Sequence, residues 1–107
     1  MARFRFNPRP ETTAQVSVNV PVEAGVEPMS FTARLLVLPE TERREIADDP
    51  VAALRRVWLG WDGIEDPDGR PIPFSETARD ELLEYDYIVL GLSQAYARAT
   101  AGIEKKN

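Results

Sequence analysis

Two runs of strict alternation constrain this chain most. Val16, Val18, Val20 and Val22 alternate with Gln15, Ser17, Asn19 and Pro21, and Met29, Phe31, Ala33, Leu35 and Val37 alternate with Ser30, Thr32 and Arg34. A period of two places every second side chain on one side of an extended strand, so each run has a single apolar face. The turn-like Glu23-Ala-Gly25-Val-Glu-Pro28 between them makes the pair an antiparallel hairpin. Two strands alone are marginal in water, so helices must cover the apolar face.

The remainder of the chain supplies those helices. Pro39 ends the second strand, and Glu40 to Asp48 reads as a short polar helix with Ile46 and Ala47 turned inward. Asp49 is a good N-cap and Pro50 is pre-organised for the first helical position. Val51, Leu54, Val57, Trp58 and Trp61 then follow helical spacing, with Gly60 as the stop. Trp58 reads as core, whereas Trp61, just past the helix end, reads either as a lid on the core or as an interface anchor.

Asp62 to Phe74 is rich in turn chemistry. Asp66-Pro-Asp-Gly69, flanked by Ile64 and Ile72, suggests a small hairpin, in which Pro71 and Pro73 confine any strand to an edge. Ser75 caps a short helix carrying Ala78, Leu82 and Leu83, and Glu76 in its first turn suits the helix dipole. Asp86 is the expected cap of a last helix running to about Ala101, with Ile88, Val89, Leu92, Ala95, Tyr96 and Ala99 as its stripe. Gly102 is its natural stop.

The expected fold is therefore α+β: an N-terminal antiparallel β-hairpin packed on a small bundle of three to four short helices. At 107 residues there is room for one core. The expected organisation is an extended arm over 1–11, one domain over 12–102 and a frayed tail over 103–107. Prolines 8 and 10 disfavour helix in the arm. Phe4 and Phe6, interleaved there with Arg3, Arg5 and Arg9, either dock on the domain or engage a partner.

Composition narrows the chemistry. The chain has no Cys and no His, so it has no thiolate nucleophile, no disulfide, and neither the usual zinc ligand nor the usual acid–base side chain near neutral pH. No apolar run approaches the ~20 residues that span a bilayer, and Met1-Ala-Arg-Phe-Arg lacks the apolar core of a signal peptide. A cytoplasmic protein with no membrane partner is expected. A net charge of −5 disfavours nucleic acid. From Asp62 to Asp86 there are nine acids against two arginines, which makes either a solvated acidic face or a docking patch.

Those acids do not form a recognisable reactive site. Asp62, Glu65, Asp66 and Asp68 lack the ligand spacing and terminal Glu of a calcium loop. The many Asp and Glu pairs fall at caps, turns and helix faces rather than at positions that would raise a carboxyl pKa for glycoside-type chemistry. Ser17, Ser30, Ser75 and Ser93 have no His partner, and Gly60, Gly63 and Gly69 are too far apart to cradle phosphate. No catalytic, cofactor or metal residues are assigned, and the chain is read as non-enzymatic.

Several features occur together in one order. They are Phe4-x-Phe6-x-Pro8-x-Pro10 with Thr12 and Thr13 after it, Val20-Pro-Val22, Phe31-Thr-Ala-Arg34, Gly60-Trp-Asp-Gly-Ile-Glu-Asp66, Gly69-Arg-Pro-Ile-Pro-Phe-Ser75, and Gln94-Ala-Tyr96 in the last helix. The series resembles the tail assembly chaperones of tailed bacteriophages and prophages over nearly the whole chain, most specifically from Gly60 to Ser75. The resemblance implies a small, non-enzymatic cytoplasmic protein that binds the tape measure protein and tail tube subunits during tail building and is not retained in the virion. No cofactor is expected, and self-association is left open. The alternatives are a minor tail protein that stays in the particle, or another small cytoplasmic interaction module. Phe4, Phe6, Trp61, Phe74, Tyr85 and Tyr87 are the candidate partner-binding residues.

Overall fold

The structure is a computed structural model that describes residues 3–45 and 48–103. Strands β1 (Glu11–Val22) and β2 (Gly25–Leu36) pair antiparallel along their whole length, Val22 opposite Gly25 and Glu11 opposite Leu36. The turn is thus only Glu23-Ala24, tighter than the six-residue turn read from sequence, and Pro28 lies within β2 opposite Asn19. Pro28 is tolerated there because the third strand reaches β2 only from Thr32 to Leu35, leaving that stretch of β2 as an edge.

Helices α1 (Glu40–Glu45) and α2 (Pro50–Val57) follow. Ile46 and Ala47, expected to turn inward, lie outside the described residues. Asp49 caps α2 as expected, its carboxylate accepting from the Ala52 N–H at 3.1 Å. The helix then stops at Val57, three residues earlier than Gly60, and Trp58–Asp62 forms strand β3 in the order β1-β2-β3.

A bulge explains this departure. Arg34 pairs with Gly60 and Leu35 with Trp58, so Leu59 is an extra residue on β3. In a regular strand, residues 58 and 61 would face opposite sides. With Leu59 bulged, Trp58 lies beside Leu35 and Trp61 beside Ala33, both core-facing partners. The three-residue spacing that reads as helix is met by a bulged strand.

Helix α3 (Glu76–Leu82) is capped by Ser75, whose Oγ accepts from the Ala78 N–H at 3.0 Å. Replacing Ser75 with alanine is expected to cost about 1 kcal/mol, read as a lowered urea midpoint with an unchanged slope. Helix α4 (Asp86–Thr100) begins one residue earlier than expected, with Tyr85 at the cap and Asp86 as its first residue. It ends in a Schellman turn: Gly102 at φ 74° donates to Ala99 O (3.2 Å), and Ile103 donates to Arg98 O (2.9 Å). Residues 104–107 of the expected tail lie outside the described residues.

The core is the inner face of the sheet roofed by these helices. Val16, Ala33, Leu35, Trp58 and Leu92 are fully enclosed, joined by Val18, Leu38, Leu54, Val57, Leu83, Ile88 and Ala95. Val89, Tyr96 and Ala99 of the expected stripe pack at its margin, and the Tyr96 hydroxyl accepts from the Leu38 N–H at 3.0 Å. Helix α4 lies flat on β1, with Gly91 against Ser17 and Val18.

The roof is shorter than the hairpin. Fifteen helical residues in α4 span about 22 Å, whereas twelve strand residues in β1 span about 40 Å. The far end of the hairpin therefore projects, and every residue from Pro21 to Ser30 is exposed. Val22 and Met29, expected on the buried face, stand outside the cover at 42% and 47% exposure.

Candidate functional site

Four aromatic rings form a line that starts in the core and runs outward. Phe31 lies 5.8 Å from Trp58, Trp58 4.8 Å from Trp61, and Trp61 4.8 Å from Phe74 in an edge-on contact. Trp61 is partly buried, and its Nε1–H donates to the Ile72 carbonyl at 2.7 Å. That bond clamps the 63–74 excursion onto β3. Trp61 and Phe74, read as candidate anchors, are thus engaged with each other and with the chain itself, which favours the lid reading of Trp61.

The excursion has the turn chemistry expected of it. Ile72 N–H donates to Ile64 O at 2.8 Å and Glu65 bridges to Pro71, while one Asp66 carboxylate oxygen accepts from the N–H groups of Asp68 (2.9 Å) and Arg70 (3.0 Å). Asp66 therefore holds the turn. Farther on, Asp80 pairs with Arg55 (3.4 Å) and Arg79 (3.1 Å), so this part of the acidic segment ties α3 to α2.

Where the roof ends, a groove opens between the uncovered sheet face and the clamped loop. It encloses about 570 Å3 and is walled by Val18, Val20, Phe31, Ile64, Leu82 and Tyr87. That volume falls within the range of ligand clefts, and the walls are the mostly apolar kind such clefts have. Trp58 also lines it, and its indole N–H is buried with no hydrogen-bond partner among the described residues. Glu65 and Asp66 line the same groove.

The structure separates the expected partner-binding residues into three places. Tyr87 belongs to the groove, with Tyr85 beside it at 6.0 Å between ring centroids and half exposed. Trp61 and Phe74 belong to the clamp. Phe4 and Phe6 do neither: they stand on the arm at 88% and 76% exposure, 6.5 Å apart, and do not dock on the domain.

Sequence reasoning passed over Val20, Phe31, Ile64 and Leu82 as groove walls. Val20 and Phe31 read as part of a covered sheet face, Leu82 as a residue of the helix after Ser75, and Ile64 as a flank of the small hairpin. The available signal was length, since a twelve-residue strand pair outruns the helices that follow it.

No family model, curated protein or solved structure matches this chain. Among the described residues, no helix is long and apolar enough to cross a membrane.

Proposed function

We propose that this chain is a phage-type tail assembly chaperone, a non-enzymatic protein that binds a tape measure protein, together with tail tube subunits, in the host cytoplasm and leaves before the virion is complete. The family resemblance from Gly60 to Ser75 names the client. The observation that carries the binding role is the apolar groove left open beneath the projecting hairpin.

Such a groove suits a long, apolar, unassembled client because it offers area and shape without demanding a fixed sequence. The exposed acids of the 62–86 segment, Asp62, Asp68, Glu76, Glu81 and Glu84 among them, keep the protein in solution while the groove is empty. Co-expression with the tape measure protein encoded beside it is expected to keep that protein soluble and to yield a co-purifying complex. Loss of the tape measure to the pellet, with no complex, contradicts the proposal.

The exposed Phe4–Phe6 arm favours a second reading, a minor tail protein anchored in the particle through that arm. Mass spectrometry of purified virions separates the two. The chaperone is absent from them, and the structural protein is present at a fixed ratio to tail tube.

A further inference from the structure

We propose that the groove of one molecule receives the basic, aromatic N-terminal arm of a second copy of this chain. The arm presents Phe4 and Phe6 almost fully exposed, between the exposed side chains of Arg3, Arg5 and Arg9. Two bare phenylalanines on one arm are a cost in water that burial removes. The groove offers apolar walls with Glu65 and Asp66 among them, and Glu27 sits opposite Val20 on the same sheet face. The arm is cationic and aromatic, and the groove is anionic and apolar.

The arm of the same molecule does not fill the groove in this structure, where Phe4 and Phe6 stand exposed. The Pro10 carbonyl accepts from the Val37 N–H at 2.9 Å, just past the end of β2, and Arg9 is paired with Glu42 at 3.3 Å. To enter its own groove the arm would have to reverse direction against those anchors. A second copy does not meet that limit, because its arm approaches from outside.

The areas are sufficient for a stable pair. Each phenylalanine buries about 150–250 Å2. Two arms exchanged about a two-fold axis, with the walls they cover, come to roughly the 1,200–2,000 Å2 of a standard interface. Reciprocal exchange also closes the assembly at two copies, so no filament propagates, and a client enters the groove by displacing the arm.

This inference does not depend on which client the protein carries, since it is tested on the purified chain alone. Light scattering coupled to gel filtration is expected to give the mass of a dimer for the full chain and of a monomer for the Phe4→Ala/Phe6→Ala double variant. Val20→Glu, at a position outside the closed core, blocks the groove and is also expected to give a folded monomer, with circular dichroism matching the parent. Mixing the two monomeric variants is the decisive step: one has an intact groove and the other an intact arm, so together they form a one-to-one heterodimer. A labelled Arg3–Pro10 peptide is expected to bind the double variant and to bind Val20→Glu at least about tenfold more weakly. A parent chain that is monomeric and whose double variant leaves the peptide unbound overturns the proposal. So does a double variant that still dimerises, or a mixture that stays monomeric.

Discussion

Replacing Trp58 with alanine is expected to destabilise the fold by about 3–5 kcal/mol, the range for deleting a large buried aromatic side chain. Trp58 has no exposed surface and lies where α2 hands over to β3, in ring contact with both Phe31 and Trp61. Its loss opens a cavity that meets the groove and removes the inner half of the aromatic line on which the 63–74 clamp rests. Against a total stability of about 5–15 kcal/mol, this leaves a chain that is marginal at best. Urea unfolding followed by far-ultraviolet circular dichroism measures it. A cost below about 1 kcal/mol would mean that Trp58 is a surface lid and not core.

The second large effect is expected at Gly91. Inside an exposed helix, glycine to alanine gains about 1 kcal/mol. Here a Cβ would sit 2.6 Å from the Ser17 carbonyl oxygen and 2.7 Å from Val18 Cγ1, so α4 must lift from β1. Gly91→Ala is expected to reverse the helix gain and cost about 2 kcal/mol net, in the range of overpacking. The midpoint of thermal unfolding should fall by on the order of 10 °C. Gly60→Ala is the control, because among the described residues, chain neighbours aside, only Arg34 Cβ comes within 4.0 Å of its Cβ, an ordinary contact, and the midpoint should barely move. A stabilised Gly91→Ala would contradict the close packing of α4 on the sheet.

How much of this was legible in the sequence depended on whether a signal was local. The hairpin was, because alternation over Val16 to Val22 and Met29 to Val37 needs only the strand period. The caps at Asp49 and Ser75 and the stop at Gly102 were too, since each follows from the chemistry of one residue at a helix end. Strand β3 was not. Trp58 and Trp61 continue the α2 spacing, and only the Leu59 bulge, fixed by pairing with β2, turns both rings inward.

The groove was legible only in part. Alternation states which face is apolar but not how far a roof extends along it, so Val20 and Met29 read the same as Val16 despite their different exposure. The partner-binding candidates were chosen as aromatics, and that rule found Tyr87 in the groove while also selecting Trp61 and Phe74, which the chain uses for itself. Gly91 carried no signal, because a glycine in a helical run looks the same whether it faces water or a β-strand.

The open groove is the surface we propose for holding an unassembled tail protein. The most direct measurement is co-expression of the tape measure protein with the parent chain and, separately, with Val20→Glu, followed by affinity purification and comparison of the soluble complex recovered. A soluble complex is expected with the parent, and its loss with a folded Val20→Glu. Equal recovery with both, or none with the parent, would contradict it.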